Sequence, residues 1–183
     1  MNVESPNLQI VQVIPNLVGL FFRFNEGQRL MKLNRSVLPN VQILDLANSY
    51  YEAAKILTDA GANAIPVVNL RCHAIELFLK SLHLTDTATD VGDGVFLLTP
   101  SSGRDAGHNL TTSFGKALQV HREALLSGMP DFLEELQLLE GIFQRSRYLY
   151  ENQDGLPLSK ATSVSTVLAE NIKTLPRLAV KNN

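Results

Sequence analysis

The stretch Ala64-Ile65-Pro66-Val67-Val68-Asn69-Leu70-Arg71-Cys72-His73-Ala74-Ile75-Glu76-Leu77-Phe78-Leu79-Lys80-Ser81-Leu82 limits the fold of this chain more than any other. Val68, Cys72, Ile75, Leu79 and Leu82 recur at spacings of three and four, which puts them on one face of a helix. Leu77 and Phe78 widen that stripe, so the helix expected over residues 63–84 is buried on more than one side. Such a helix belongs at the centre of a bundle. Its charged groups then need partners or a water-filled cleft, because an isolated charge in apolar surroundings is costly.

The neighbouring segments supply the other helices. Ile43, Leu46, Ala47, Tyr50, Ala54 and Leu57 carry helical periodicity, and Gly61 is a suitable terminator. A third helix is expected over residues 110–126 through Phe114, Leu118, His121 and Leu125, with Asn109, Thr111 or Thr112 as N-cap and Gly128 closing it. Pro130 suits the first position of a fourth helix that buries Phe132, Leu136, Leu139 and Phe143 and runs on toward Tyr150. Asp131, Glu134 and Glu135 stand near the positive end of its dipole. Gly155 and Pro157 break the chain before a last helix over residues 160–175, packed through Val164, Val167 or Leu168, and Leu175. Residues 85–107 hold four Gly and four Asp and read as a long surface loop, in which Val95-Phe96-Leu97-Leu98 either forms a short strand or tucks into the bundle. The expected fold is all-α, a five-helix up-down bundle over residues 41–183. Residues 1–40 form an N-terminal extension closed by Pro39. In it Phe21, Phe22 and Phe24, then Leu30, Met31 and Leu33, flank a Gly-containing turn and suit a β-hairpin or a short helix.

Composition excludes several classes. The single cysteine, Cys72, rules out an intrachain disulfide framework and a cysteine-based zinc site, and fits a reducing cytoplasm. Residues 8–24 contain Gln9, Gln12, Pro15, Asn16 and Arg23, so no spanning helix is expected there. The start Met1-Asn2-Val3-Glu4 lacks the positive charge of a secretory signal. Residues 1–40 carry +2, residues 41–155 carry −7 and residues 156–183 carry +3. An acidic body disfavours broad electrostatic binding to nucleic acid and leaves room only for a local basic pocket. The four histidines form no close His-x-x-x-His or His/carboxylate set, so no metal is expected. Phosphate-binding loops, dinucleotide fingerprints and nucleophile elbows are missing from the sequence.

Three segments resemble the HEPN family of small α-helical domains found in bacterial toxin, antitoxin and nucleotidyltransferase-associated proteins. They are Ala74-Ile75-Glu76-Leu77-Phe78-Leu79-Lys80-Ser81-Leu82, Gly107-His108-Asn109-Leu110, and Arg145-Ser146-Arg147-Tyr148-Leu149-Tyr150-Glu151. The resemblance covers roughly residues 42–176. It implies a homodimeric up-down bundle, and in many members a metal-independent ribonuclease carrying Arg, four to six residues, then His. Here the four residues after Arg147 lead to Asn152, and no His follows His121. Asn does not titrate and cannot shuttle a proton. The resemblance that remains is to non-catalytic members, which bind nucleotides or partner proteins.

Glu76, Lys80, His108, Arg145, Arg147, Tyr148 and Tyr150 are the candidate ligand-binding residues, with no catalytic residue, cofactor or metal expected. Glu76 and Lys80 stand i, i+4, suited either to a polar seam facing a ligand or to a plain intrahelical pair. His108 precedes a helix and either meets an anion or fastens the loop to the bundle. Arg145 and Arg147 point about 200° apart on a continuous helix, so Arg147 acts with Tyr150; the alternative is a helix C-terminus stabilised by positive charge. The expected function is a binding module for nucleotide, RNA or a partner protein such as a nucleotidyltransferase, in a toxin–antitoxin or defence setting. A degenerate ribonuclease using Arg147, Tyr150 and Glu76, and a structural dimerisation domain, are the alternatives.

Overall fold

Asn40 and Asn63 each stand just ahead of an apolar periodic run, and each caps a helix. The Asn40 side chain accepts from Ile43 N to open α1 (Val41–Asp59), and Asn63 accepts from Ile65 N to open α2 (Ala64–His83). Between the two helices the chain reverses through Gly61, whose φ of +67° suits a residue without Cβ. The structure, a computed structural model, describes residues 35–92, 95–100, 107–140, 142, 157–172, 174–175 and 178–179. Its remaining elements are β1 (Arg35–Leu38), β2 (Asp86–Gly92), β3 (Val95–Pro100), α3 (Leu110–Lys116), α4 (Gln119–Gly128), α5 (Phe132–Leu139), α6 (Leu158–Asn171) and β4 (Leu178–Ala179).

The described chain is mostly helical, and α2 is its centre. It packs against α1, α3 and α6, while α4 and α5 also lean on α6. The whole stripe read from the sequence, Val68, Cys72, Ile75, Leu79 and Leu82, is buried, and Phe78 is fully enclosed beside it. Each large apolar side chain buried in this way contributes about 1.5–3 kcal/mol. On α1 the expected stripe divides. Ala47 and Ala54 face the core together with Leu44, whereas Leu46 is 48% exposed.

Two expectations are corrected. The all-α reading misses a four-stranded antiparallel sheet of order β3-β2-β1-β4. The segment read as a long loop supplies two of its strands, with Thr87 opposite Thr99 and Ala88 opposite Leu98. Threonines at alternate positions, Thr85, Thr87 and Thr89, favour an extended chain, and Ala88 turns inward. β1 pairs with β2 through Val37 and Thr87, so residues 35–38 join the sheet, just short of the expected start of the helical body. The hairpin or helix expected over residues 21–33 lies outside the described residues.

The third expected helix is also two. α3 stops at Lys116, and Ala117 and Leu118 are extended (ψ 154° and 139°) before α4 begins. Gly115 weakens the helix here, and Arg122 Nη1 donates to the Gly115 carbonyl left without a helical partner. Ala117 is buried in the break. α5 likewise ends at Leu139, where Glu140 is extended; Ile142 beyond it is helical again, and residues 143–150 of the expected run lie outside the described residues. Pro130 precedes the N-cap Asp131 instead of opening the helix.

A polar knot ties the sheet to the helices. Asn40 N donates to Ser81 O at 2.8 Å, Asn40 Nδ2 donates to Asp86 Oδ1 at 2.8 Å, and Val41 N donates to Asp86 Oδ2 at 2.8 Å. The start of α1 is therefore bonded both to the end of α2, through Ser81 O, and to a buried carboxylate at the start of β2. Burial pushes the Asp86 carboxyl above its ordinary value, against the opposing pull of its bonds to Val41 and Asn40.

Candidate functional site

Glu76 flanks the stripe of α2, about 80° around the helix from its centre, and is buried, with 7% of its side chain exposed. Its Oε1 meets Lys80 Nζ at 3.0 Å, one helical turn on, and His108 Nδ1 at 2.9 Å, thirty-two residues away. The i, i+4 spacing sets the first contact. The second depends on α3 packing against α2, which brings the turn ahead of α3 over Glu76. Gly107, at φ +67°, makes that turn, and Asn109 caps α3 through Thr112 N. Three residues named from the sequence, Glu76, Lys80 and His108, thus form one cluster. Arg145, Arg147, Tyr148 and Tyr150 lie outside the described residues.

Exposure is graded across the cluster: Glu76 and Lys80 keep 7% and 13% of their side chains exposed, while His108 keeps 58%. It is an anchored carboxylate under an accessible ring. Glu76 holds the ring through Nδ1, and Nε2 is the ring's other hydrogen-bonding nitrogen. The second Glu76 oxygen, Oε2, makes no hydrogen bond among the described residues and is not sealed from solvent. The group therefore offers a carboxylate acceptor, an ammonium and a ring at one surface, which suits a ligand bearing N–H or O–H donors and negative charge.

One turn further along, Thr111 Oγ1 donates to Glu140 Oε2 at 3.0 Å, and Glu140 Oε1 is buried with no hydrogen bond. Sequence reasoning missed Glu140, since nothing in its neighbourhood signals a tertiary partner on α3. A separate groove of about 460 Å³ lies between α3, α4 and α5, with Phe114, Leu126 and Leu133 along it and Arg122 and Glu123 at its sides. Its apolar lining carries no converging set of polar groups comparable to Glu76, Lys80 and His108.

Cys72 is buried, and burial pushes its thiol up to about 12, so it stays protonated and unreactive. Among the described residues no group of three or more His, Cys, Asp or Glu is placed to hold a metal ion. No helix among them is long and apolar enough to cross a membrane. Comparison with models of known families, with curated proteins and with solved structures gives no match to this chain.

Proposed function

We propose that this chain is a HEPN-like, non-catalytic binding domain whose ligand is a nucleotide or the nucleotide end of an RNA, held at Glu76, Lys80 and His108. The observation that carries the reading is the buried Glu76 carboxylate, gripped through one oxygen by Lys80 and His108 while the other oxygen is left to accept. A carboxylate accepts from exocyclic amines and ribose hydroxyls, an ammonium attracts phosphate, and an exposed imidazole stacks on or bonds to a base. The resemblance adds Arg147 and Tyr150 to the same ligand, an up-down helical bundle, a homodimer, and a cytoplasmic toxin–antitoxin or defence setting beside a partner such as a nucleotidyltransferase.

Purified protein titrated with adenosine and guanosine triphosphates, and with a short single-stranded RNA, tests this reading by thermal shift. A ligand that binds only the folded state raises the melting temperature, by about 2.7 kcal/mol of stabilisation at a hundredfold excess over Kd. The rise is expected in the wild type and lost in His108→Ala. No rise with any of the three probes at millimolar concentration counts against it.

A second reading is favoured by the same cluster. A carboxylate orienting an imidazole is an arrangement used in general-base catalysis, and it supplies a histidine that the sequence after Arg147 lacks. Cleavage of RNA by metal-free protein, abolished by His108→Ala, would replace the binding-only reading with the degenerate ribonuclease.

A further inference from the structure

Among the described residues Arg71 is a buried cation without a counter-charge. It keeps 4% of its surface exposed, and among the described residues no Asp or Glu forms an ion pair with it. Its guanidinium lies over the Tyr51 ring, 4.9 Å from the centroid. Nη1 donates to Ser165 Oγ at 3.2 Å, and that hydroxyl in turn donates to Thr162 O. Nε is sealed from solvent with no acceptor. Nη2 makes no hydrogen bond and is not among the sealed atoms, so the residual exposure includes that edge.

A guanidinium removed from water needs an anion or a full set of acceptors. One hydroxyl and one ring supply neither, since the cation–π contact leaves the in-plane donors unmet. Tyr51 Oη reaches Thr166 Oγ1 at 3.5 Å, so a second hydroxyl pair borders the same junction of α1, α2 and α6. Glu76 does not serve as counter-ion. It is five residues on, about 140° around the helix, and is held by Lys80 and His108.

We infer that Arg71 is the floor of an oxyanion site between α1, α2 and α6, taking a phosphate or carboxylate group through Nη2, its solvent-reaching nitrogen. The two N–H groups of Nη2, fixed in the guanidinium plane, form a fork that matches the oxygens of either group. The site lies apart from the Glu76 cluster and does not depend on its ligand.

Melting temperatures of the full chain are measured with inorganic phosphate and, separately, with acetate, at constant ionic strength set by chloride. A saturable rise with either anion is expected in the wild type and in Glu76→Gln, with phosphate against acetate distinguishing the two sources of the oxyanion. Arg71→Met, which keeps the stem and removes the charge, should show no anion response and should melt without anion at or above the wild-type temperature. Arg71→Lys, which keeps the charge and loses the fork, should need about tenfold more anion for the same rise. A lower melting temperature for Arg71→Met in chloride alone would assign Arg71 a structural role and overturn the site. An equal anion response in Arg71→Met, or none from either anion in the wild type, would overturn it as well.

Discussion

Replacing Asp86 by Ala removes the carboxylate that ties the sheet to the start of α1. Two donors lose their acceptor, Asn40 Nδ2 and Val41 N, each 2.8 Å from it in the wild type. Val41 N belongs to the first turn of a nineteen-residue helix and has no carbonyl within the helix to turn to. Leaving each of these two donors without its acceptor costs about 1–3 kcal/mol, so about 3 kcal/mol of net destabilisation is expected. In a chain of this size that lowers the melting temperature by about 6–12 °C. Asp86→Asn is no simple rescue. Its amide can accept from Val41 N but presents a donor to Asn40 Nδ2, and Asn40 cannot turn without releasing its cap on Ile43 N.

The penalty depends on pH in a direction opposite to the usual carboxylate. The folded Asp86 holds its proton above the ordinary value of 3.8. Between that value and the raised one, the native state binds more protons than the unfolded chain, so unfolding free energy falls as pH rises. The contribution of Asp86 is complete below 3.8 and diminishes as pH climbs through its folded value. Urea denaturation of wild type and Asp86→Ala from pH 3.5 to 7 should therefore give a stability difference that is largest at the acid end. A difference that grows toward pH 7, or a variant within 0.5 kcal/mol (an order-of-magnitude bound for surface changes) of wild type, would refute the reasoning.

Other variants test the packing and the cluster. Phe78→Ala, at a fully enclosed position of α2, should cost about 3–5 kcal/mol in urea denaturation, whereas Leu46→Ala, at 48% exposure on α1, should cost less than about 0.5 kcal/mol. Cys72 should stay unmodified by a chromogenic disulfide reagent at pH 8 until the chain is unfolded, since its thiol is pushed up to about 12. Glu76→Gln should cost about 1–2 kcal/mol, more than an exposed helix pair and less than a fully buried one, because Lys80 and His108 lose an anionic acceptor while His108 still reaches water.

The central helix was legible because its signal is local. Val68, Cys72, Ile75, Leu79 and Leu82 report burial by spacing alone; the caps at Asn40 and Asn63 emerge only in the folded chain. The sheet was not, because its evidence is non-local. Thr87 and Ala88 look like loop residues until Val37 and Ser36, some fifty positions earlier, are set beside them. The break after Lys116 escaped for a related reason: Leu118, His121 and Leu125 continue a helical period across it, and only the backbone at Ala117 shows the change of direction. At the site, Glu76 with Lys80 followed from spacing, while the approach of His108 needed the packing of α3. Arg71 was visible as a charge among Val68, Cys72 and Ile75, but its want of a partner is a property of the folded surroundings.

A nucleotide held at Glu76 also meets the imidazole of His108, which reports on its arrival directly. His108 keeps 58% of its side chain exposed, and a nucleotide titration followed by NMR of the histidine side chains, assigned with His108→Gln, locates the ligand. A saturable shift at His108 that exceeds those at His73, His83 and His121, and that vanishes in Glu76→Gln, is the predicted result. A titration that leaves His108 unmoved while the ligand demonstrably binds would contradict the proposed site.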